Sequence, residues 1–164
     1  MRKLLFICYL FQVSVSSAQV LYGDRCIGTW TGVMYIYKFG TLRDSVHVKL
    51  TVANEAKQVW VWRMEYVSTK MPMVKDYKLK LKDGEKNVYV TDEGDGLELT
   101  DYLTGNKLYS IFETHDIMLT SSYELLGDEL IFEVTSGKKE ADSHPDVINY
   151  SITSVQRVRL KREK

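Results

Sequence analysis

The chain has 164 residues, of which 45% are hydrophobic, and its 22 lysine and arginine residues balance 22 aspartate and glutamate residues. This length suits a single domain with its own hydrophobic core. The balanced charge excludes the strongly basic field that attracts nucleic acid or an anionic membrane surface, so neither is expected as a partner.

The first 18 residues are typical of a secretory signal peptide. Met1-Arg2-Lys3 supplies the positive start, residues 4–15 form an apolar run, and Ser16-Ser17-Ala18 offers the small residues of a cleavage site. The apolar run is shorter than the about 20 residues that span a bilayer, so no integral membrane segment is expected. We therefore predict cleavage before Gln19 and export to the periplasm or the extracellular space.

Cleavage changes both the charge and the cysteine content of the chain. The mature chain has a net charge of −2, because Arg2 and Lys3 are removed and no acidic residue is. Cys8 is removed as well, and the bulky Ile7 before it argues against a lipid anchor. Cys26 is then alone, cannot form an internal disulfide, and has no histidine near it in sequence. We expect it to be a packed, unreactive thiol.

From residue 28 onward, apolar and polar residues alternate with a period of two, which is typical of half-buried antiparallel strands. Turn signals such as Leu126-Gly127-Asp128 separate these stretches. About ten strands are predicted, over residues 28–38, 44–53, 57–67, 74–82, 86–92, 97–103, 106–114, 116–125, 128–136 and 147–160.

The connections between the predicted strands are short, and no amphipathic helix of ten or more residues is predicted. Only residues 68–73 and 137–146 form longer connections. Sequential hairpins predict a meander, and a meander of this many strands closes on itself to remove its edges. The expected fold is all-β: a single antiparallel up-and-down barrel of about 8–10 strands over residues 19–164, after a signal peptide at 1–18.

Gly28-Thr29-Trp30 resembles the N-terminal motif of the lipocalins and their relatives in the calycin superfamily. The resemblance implies that Trp30 closes one end of the barrel and that an arginine late in the chain packs across its ring. Such a cation–π pair is worth about 0.5–2 kcal/mol. Arg157 and Arg159 lie on the last predicted strand, which pairs with the first in a closed meander. Gly28, Trp30 and Arg157 are the predicted barrel-closing residues, with Arg159 as the alternative arginine.

Thr100-Asp101-Tyr102 is similar to the second lipocalin motif, and we expect it at a tight connection, where that motif lies. The chain departs from the lipocalin pattern in two ways. Its late arginine comes much further after Thr-Asp-Tyr, and it has no C-terminal helix. Residues 39–44 form only a hairpin where fatty-acid-binding proteins insert two helices. The chain therefore resembles a divergent lipocalin-like barrel.

Aromatic and methionine side chains are predicted to face the barrel interior. If Trp30 points inward, alternation places Met34 on the same face of the first strand. The third strand carries four aromatic or methionine residues on one face, at alternate positions from Trp60 to Tyr66. These side chains either line a cavity for a hydrophobic or aromatic ligand or fill the barrel completely. The predicted ligand-binding residues are Met34, Trp60, Trp62, Met64, Tyr66, Phe112 and Tyr150.

The first and third strands are apolar on their outer face too, at Val33, Tyr35 and Tyr37 and at Val59 and Val61. Two-sided apolar strands need cover, which favours a homodimer or a contact with a partner protein. A β-bulge that shifts the register would also explain the pattern. The alternative function is accordingly a protein-interaction or structural barrel with a filled core, self-associating through this face.

No pattern in the sequence predicts catalysis, a metal or a cofactor. The chain lacks the nucleophile-elbow, P-loop and dinucleotide-binding motifs. His47 falls on a polar strand face, Glu113 and His115 are expected on the surface, and His144 is the one haem candidate but matches no motif. The acidic turn 92–96 lacks the terminal glutamate of a calcium loop.

The leading prediction is an exported, non-enzymatic barrel that binds a small hydrophobic or aromatic molecule. An enzyme built on the same barrel is the third alternative, because fold does not determine function.

Overall fold

The computed structural model describes residues 20–69, 72–141 and 146–164. In them a five-residue helix, α1 (Tyr22–Cys26), precedes ten strands. The strands are β1 (Gly28–Lys38), β2 (Thr41–Ala56), β3 (Val59–Val67), β4 (Met73–Asp83), β5 (Val88–Asp92), β6 (Glu98–Thr104), β7 (Lys107–Thr114), β8 (Ile117–Leu126), β9 (Glu129–Lys139) and β10 (Tyr150–Arg162). The predicted signal peptide and His144 lie outside the described residues.

Each strand pairs antiparallel with its neighbours in sequence, and β1 also pairs with β10, so the sheet closes into a barrel. The predicted all-β up-and-down barrel is confirmed, and its strand boundaries agree with the predicted ones to within three residues. Closure gives every described strand two neighbours, although β6 and β7 pair only over residues 102–104 and 107–109. The helix α1 was not predicted, since five residues are too few for a periodic hydrophobic pattern.

The up-and-down order defines two ends of the barrel. One end holds α1, the start of β1 and the end of β10, together with tight turns such as the one at Gly127, which has a φ of 62°. The opposite end holds the β1–β2 turn and the connections β3–β4, β5–β6, β7–β8 and β9–β10. The β1–β2 connection is a hairpin without helices.

The outer apolar face of β1 is present in the structure. A β-bulge does shift the register of β1 against β2 between Ile36 and Tyr37. However, Val33 and Tyr35 precede the bulge, and together with Tyr37 they line an outer groove beside Arg157 and Arg159. The bulge therefore does not remove the two-sided pattern of this strand.

Inward-facing side chains of the strands, with residues of α1, form one continuous hydrophobic core. β1 and β10 approach closely at Gly32, where an added Cβ would lie 2.4 Å from the carbonyl oxygen of Arg159. No helix in the described part of the chain is long and apolar enough to cross a membrane. The fully buried large side chains include Tyr22, Trp30, Met34, Leu50, Trp60, Met64, Leu79, Tyr89, Leu108, Leu130 and Leu160.

Candidate functional site

Trp30 and Arg162 close one end of the barrel. Trp30 is fully buried, and its indole Nε1 donates to the carbonyl of Cys26 at 2.8 Å. The Arg162 guanidinium lies 4.0 Å from the centre of the Trp30 ring and donates to the carbonyls of Arg25 and Ile27. One side chain thus covers the tryptophan and also satisfies backbone carbonyls at the end of α1, so this end is sealed.

We expect Arg162→Met to lower the free energy of unfolding by about 1–3 kcal/mol, because the cation–π contact and two charge-assisted hydrogen bonds are lost. Arg157→Met is the matched control on the same strand. Its guanidinium is exposed and forms an ion pair with Glu133, at 3.5 Å, so a change below about 1 kcal/mol is expected. Urea unfolding of both variants checks this, and equal losses would contradict the role given to Arg162.

The helix α1 covers an aromatic layer just inside the closed end. Asp24 Oδ1 accepts a hydrogen bond from Trp60 Nε1 at 2.8 Å, and Tyr22 stacks against Trp62 with ring centres 6.4 Å apart. Gly23 lies flat on the Trp60 indole, where an added Cβ would come within 2.2 Å of the ring. Tyr22 and Trp60 are fully buried in this layer.

A cavity of about 190 Å³ lies toward the opposite end of the barrel. Its walls combine aromatic rings with hydroxyl and carboxylate groups, which suits a small ligand that has both an apolar and a polar part. The lining residues are Met64, Tyr66, Tyr77, Thr91, Glu93, Leu99, Asp101, Phe112, Leu119, Ser121, Tyr123, Phe132 and Val134.

Asp101 is the buried charged group of this cavity, with only 5% of its surface exposed. Its Oδ2 accepts a hydrogen bond from Thr91 Oγ1 at 2.7 Å. Ser110, which faces Asp101 from β7, donates its hydroxyl to the carbonyl of Thr100 at 3.0 Å. Burial raises the pKa of Asp101 to about 6, against the lowering effect of its hydrogen bonds. The carboxylate is held in place and stays largely ionised at neutral pH.

The cavity also carries a second carboxylate and several tyrosines. Glu93 lies directly after β5, at the open end, and Tyr77 is near it. Burial, reinforced by the negative charges of Glu93 and Asp95, raises the pKa of Tyr77 to about 12. Burial also raises the pKa of Tyr123 well above its ordinary value. All these phenols remain neutral at physiological pH, and the charge of the cavity is negative.

Comparison with solved structures places this architecture among known barrels. A phycobiliprotein lyase of S type, CPES from Guillardia theta, matches 87% of this chain and 91% of its own, with a TM-score of 0.65 and 8% identity. A DUF3598-family protein of unknown function from Nostoc punctiforme matches 86% of this chain and 49% of its own, with a TM-score of 0.60 and 11% identity. Rv2717c from M. tuberculosis matches 86% of this chain and 94% of its own, with a TM-score of 0.56 and 15% identity.

The chain shares the closed up-and-down barrel fold of these solved structures. No family model matches its sequence, and no curated protein sequence does. At these identities the likeness is one of fold alone.

The predicted ligand-binding residues lie at two levels of the barrel. Met64, Tyr66 and Phe112 line the cavity. Met34, Trp60 and Trp62 face inward as predicted, but Met34 and Trp60 are fully buried and none of the three is among the lining residues. Trp62 lies next to the cavity, because its ring packs edge-on against Tyr123, with ring centres 5.2 Å apart.

Tyr150 does not line the cavity, contrary to the prediction. Its hydroxyl donates an exposed hydrogen bond to Glu113 Oε2 at 3.2 Å. β10 begins at Tyr150 and has a register shift between Ile152 and Ser154, so the alternation that places Val158 and Leu160 inside does not continue unchanged to its start.

The prediction that Arg157 packs on Trp30 is wrong, and so is the alternative, Arg159. Both arginines project outward and form ion pairs, Arg157 with Glu133 and Arg159 with Glu129. Trp30 pairs directly with Arg162 in the β1–β10 register, and directly opposed residues share a face. The sequence contained this signal, since Arg162 has the same parity as the apolar Val158 and Leu160.

Thr100-Asp101-Tyr102 lies within β6, not at the expected tight connection. Asp101 therefore faces the cavity, whereas Tyr102 on the opposite face is 57% exposed. Sequence reasoning missed Asp101 as a site residue, although an aspartate between Leu99 and Leu103 on the inward face of a strand is the available signal.

Other groups considered from the sequence take no part in the cavity. Cys26 is fully buried, and burial raises the pKa of its thiol to about 12, which makes it a poor nucleophile. His115 lies in the β7–β8 turn and bonds to Thr114. In the turn after β5, Asp92 and Asp95 accept hydrogen bonds from the backbone of Gly94 and Leu97. The described residues contain no cluster of three or more metal-ligating side chains.

Proposed function

We propose that this protein is an exported, non-enzymatic barrel that binds one small hydrophobic or aromatic molecule. The observation that carries the proposal is the asymmetry of the barrel interior. One end is sealed by α1, Trp30 and Arg162, whereas an aromatic-lined cavity lies toward the other. The N-terminal signal pattern supports export of the proposed carrier.

The cavity volume restricts the size of the ligand. About 190 Å³ corresponds to the space of about six water molecules and is below the volume of pockets for drug-sized compounds. A single aromatic ring with a short side chain matches this space. Tyr66, Phe112 and Phe132 offer aromatic surface for such a ring.

Binding without chemical conversion is supported by the state of the reactive groups. Cys26 is buried away from the cavity with a raised thiol pKa, and Asp101 is anchored by Thr91. The Guillardia theta neighbour is named a lyase, and so an enzymatic activity is compatible with this fold. The proposal of a carrier therefore rests on the residues of this cavity and not on the fold.

Self-association is the second candidate function, and the outer face of β1 favours it. Tyr35 is 47% exposed, and Phe39 in the following turn is 75% exposed. Val33 and Tyr37 continue this apolar surface along the groove beside Arg157. A second copy of the chain covering this face would form a homodimer.

Native mass spectrometry distinguishes these functions. The full chain would be produced in a bacterial host and purified without detergent, and its native mass would be compared with its denatured mass. We expect a denatured mass that begins at Gln19 and a native mass of one chain plus a small non-covalent molecule. The denatured mass tests export, and the added native mass tests binding.

The other outcomes are equally informative. A denatured mass that includes residues 1–18 would contradict the predicted cleavage. A native mass of two bare chains would favour the homodimer with a filled core. A bare monomer that also binds no added aromatic compound would contradict the carrier function.

A further inference from the structure

We propose that the ligand carries a positive charge, as an aromatic ring with a short amine side chain, and that the Asp101 carboxylate binds this amine while Glu93 attracts it at the open end. This inference rests on the proposed function and specifies its ligand class. The sequence suggested only a hydrophobic or aromatic molecule.

The first argument is the unpaired charge of Asp101. The side chain is 5% exposed, and no arginine, lysine or histidine in the described part of the chain forms an ion pair with it. A buried carboxylate without a cation reduces the stability of a fold, and hydrogen bonds such as the one from Thr91 orient it without neutralising it. A charged group kept in this position is typical of a binding site.

The second argument is the composition of the remaining wall. No lysine, arginine or histidine is among the described residues that line the cavity, so no basic group competes for the carboxylates. Tyr66, Tyr77 and Tyr123 add aromatic rings to the wall, and the faces of such rings attract cations. Phe112 and Phe132 provide the apolar surface for the ring of the ligand.

The test compares a cation with its neutral counterpart of the same shape. Binding of 2-phenylethylamine and of 2-phenylethanol to the mature protein would be measured by isothermal titration calorimetry at pH 7.5. Burial raises the pKa of Asp101 only to about 6, so its carboxylate is ionised at this pH. We expect the amine to bind about tenfold to hundredfold more tightly than the alcohol, as a hydrogen-bonded charge pair implies.

Two variants locate the effect. Asp101→Asn should abolish the preference for the amine while leaving the affinity for the alcohol within about twofold, because the shape of the side chain is kept. Glu98→Gln is the matched control. It removes the same charge from the same strand, but Glu98 is outside the barrel, 3.1 Å from the Lys80 amine, so the preference should remain.

Each contrary result has a distinct meaning. If the alcohol binds as tightly as the amine, the charge requirement is wrong and the carrier function stands. If neither compound binds, the proposed ligand class is wrong, and the carrier function is judged separately by the mass that copurifies with the chain. An equal loss of preference in Glu98→Gln would show a general effect of net charge, which overturns the role of Asp101.

Discussion

Replacement of Trp30 by alanine is expected to lower the free energy of unfolding by about 3–5 kcal/mol. The indole is fully buried and donates to the Cys26 carbonyl, and the Arg162 guanidinium lies on its ring. Its removal creates a cavity at the sealed end and leaves the arginine without its aromatic partner. Urea unfolding followed by the fluorescence of Trp60 and Trp62 would measure the loss.

Tyr35→Ala is the control for this prediction. Tyr35 lies on the same strand but faces outward and is 47% exposed, so its removal should change the unfolding free energy by less than about 1 kcal/mol. A loss from Trp30→Ala no greater than that from Tyr35→Ala would show that the closed end does not hold the barrel together.

Asp101→Asn is expected to stabilise the protein at neutral pH by up to about 3 kcal/mol. The folded pKa of Asp101 is raised from 3.8 to about 6 by burial, so the folded state binds more protons than the unfolded state between these values. The free energy of unfolding is therefore highest below about pH 4, where Asp101 is protonated. It falls as the pH rises through about 6, because the buried carboxyl then ionises. Asparagine is neutral throughout and avoids this loss, while its oxygen can still accept the hydrogen bond from Thr91.

The measurement is urea unfolding of the wild type and the variant at intervals from pH 4 to pH 8. The two stabilities should coincide near pH 4 and diverge toward pH 7, because all other ionisable groups are shared. If Asp101→Asn is less stable than the wild type at pH 7, the folded chain itself stabilises the ionised carboxylate, and the inference about the ligand loses its first argument.

The strands were predictable because their signal is local. Hydrophobicity that alternates with a period of two indicates a strand with one solvent-exposed and one buried face. Glycine-containing turns separate the strands. The closure of the barrel followed from the same pattern, since a long meander avoids free edges by pairing its first and last strands. The same alternation predicts the inward orientation of Trp30, Trp60 and Met64.

The candidate site was predictable only in part. Alternation places Met64, Tyr66 and Phe112 on the interior side, where they line the cavity, but the motif alone does not predict Asp101 there, and Tyr150 lies outside the cavity on Glu113. Arg162 was missed because the last predicted strand stopped at residue 160, two residues before the arginine that contacts Trp30. The errors at Tyr150 and Arg162 concern a register shift and a strand end, which alternation does not locate.

The sequence by itself determined which side chains face inward along the regular parts of the strands, where the chain turns and how the strands follow one another. Only the tertiary structure decided the height of each inward side chain along the barrel axis. Alternation specifies a face, whereas the stagger between neighbouring strands specifies the level. That stagger places Trp60 against α1 and Asp101 beside Tyr123 in the cavity, and so it separates the residues that seal the barrel from those that line the cavity.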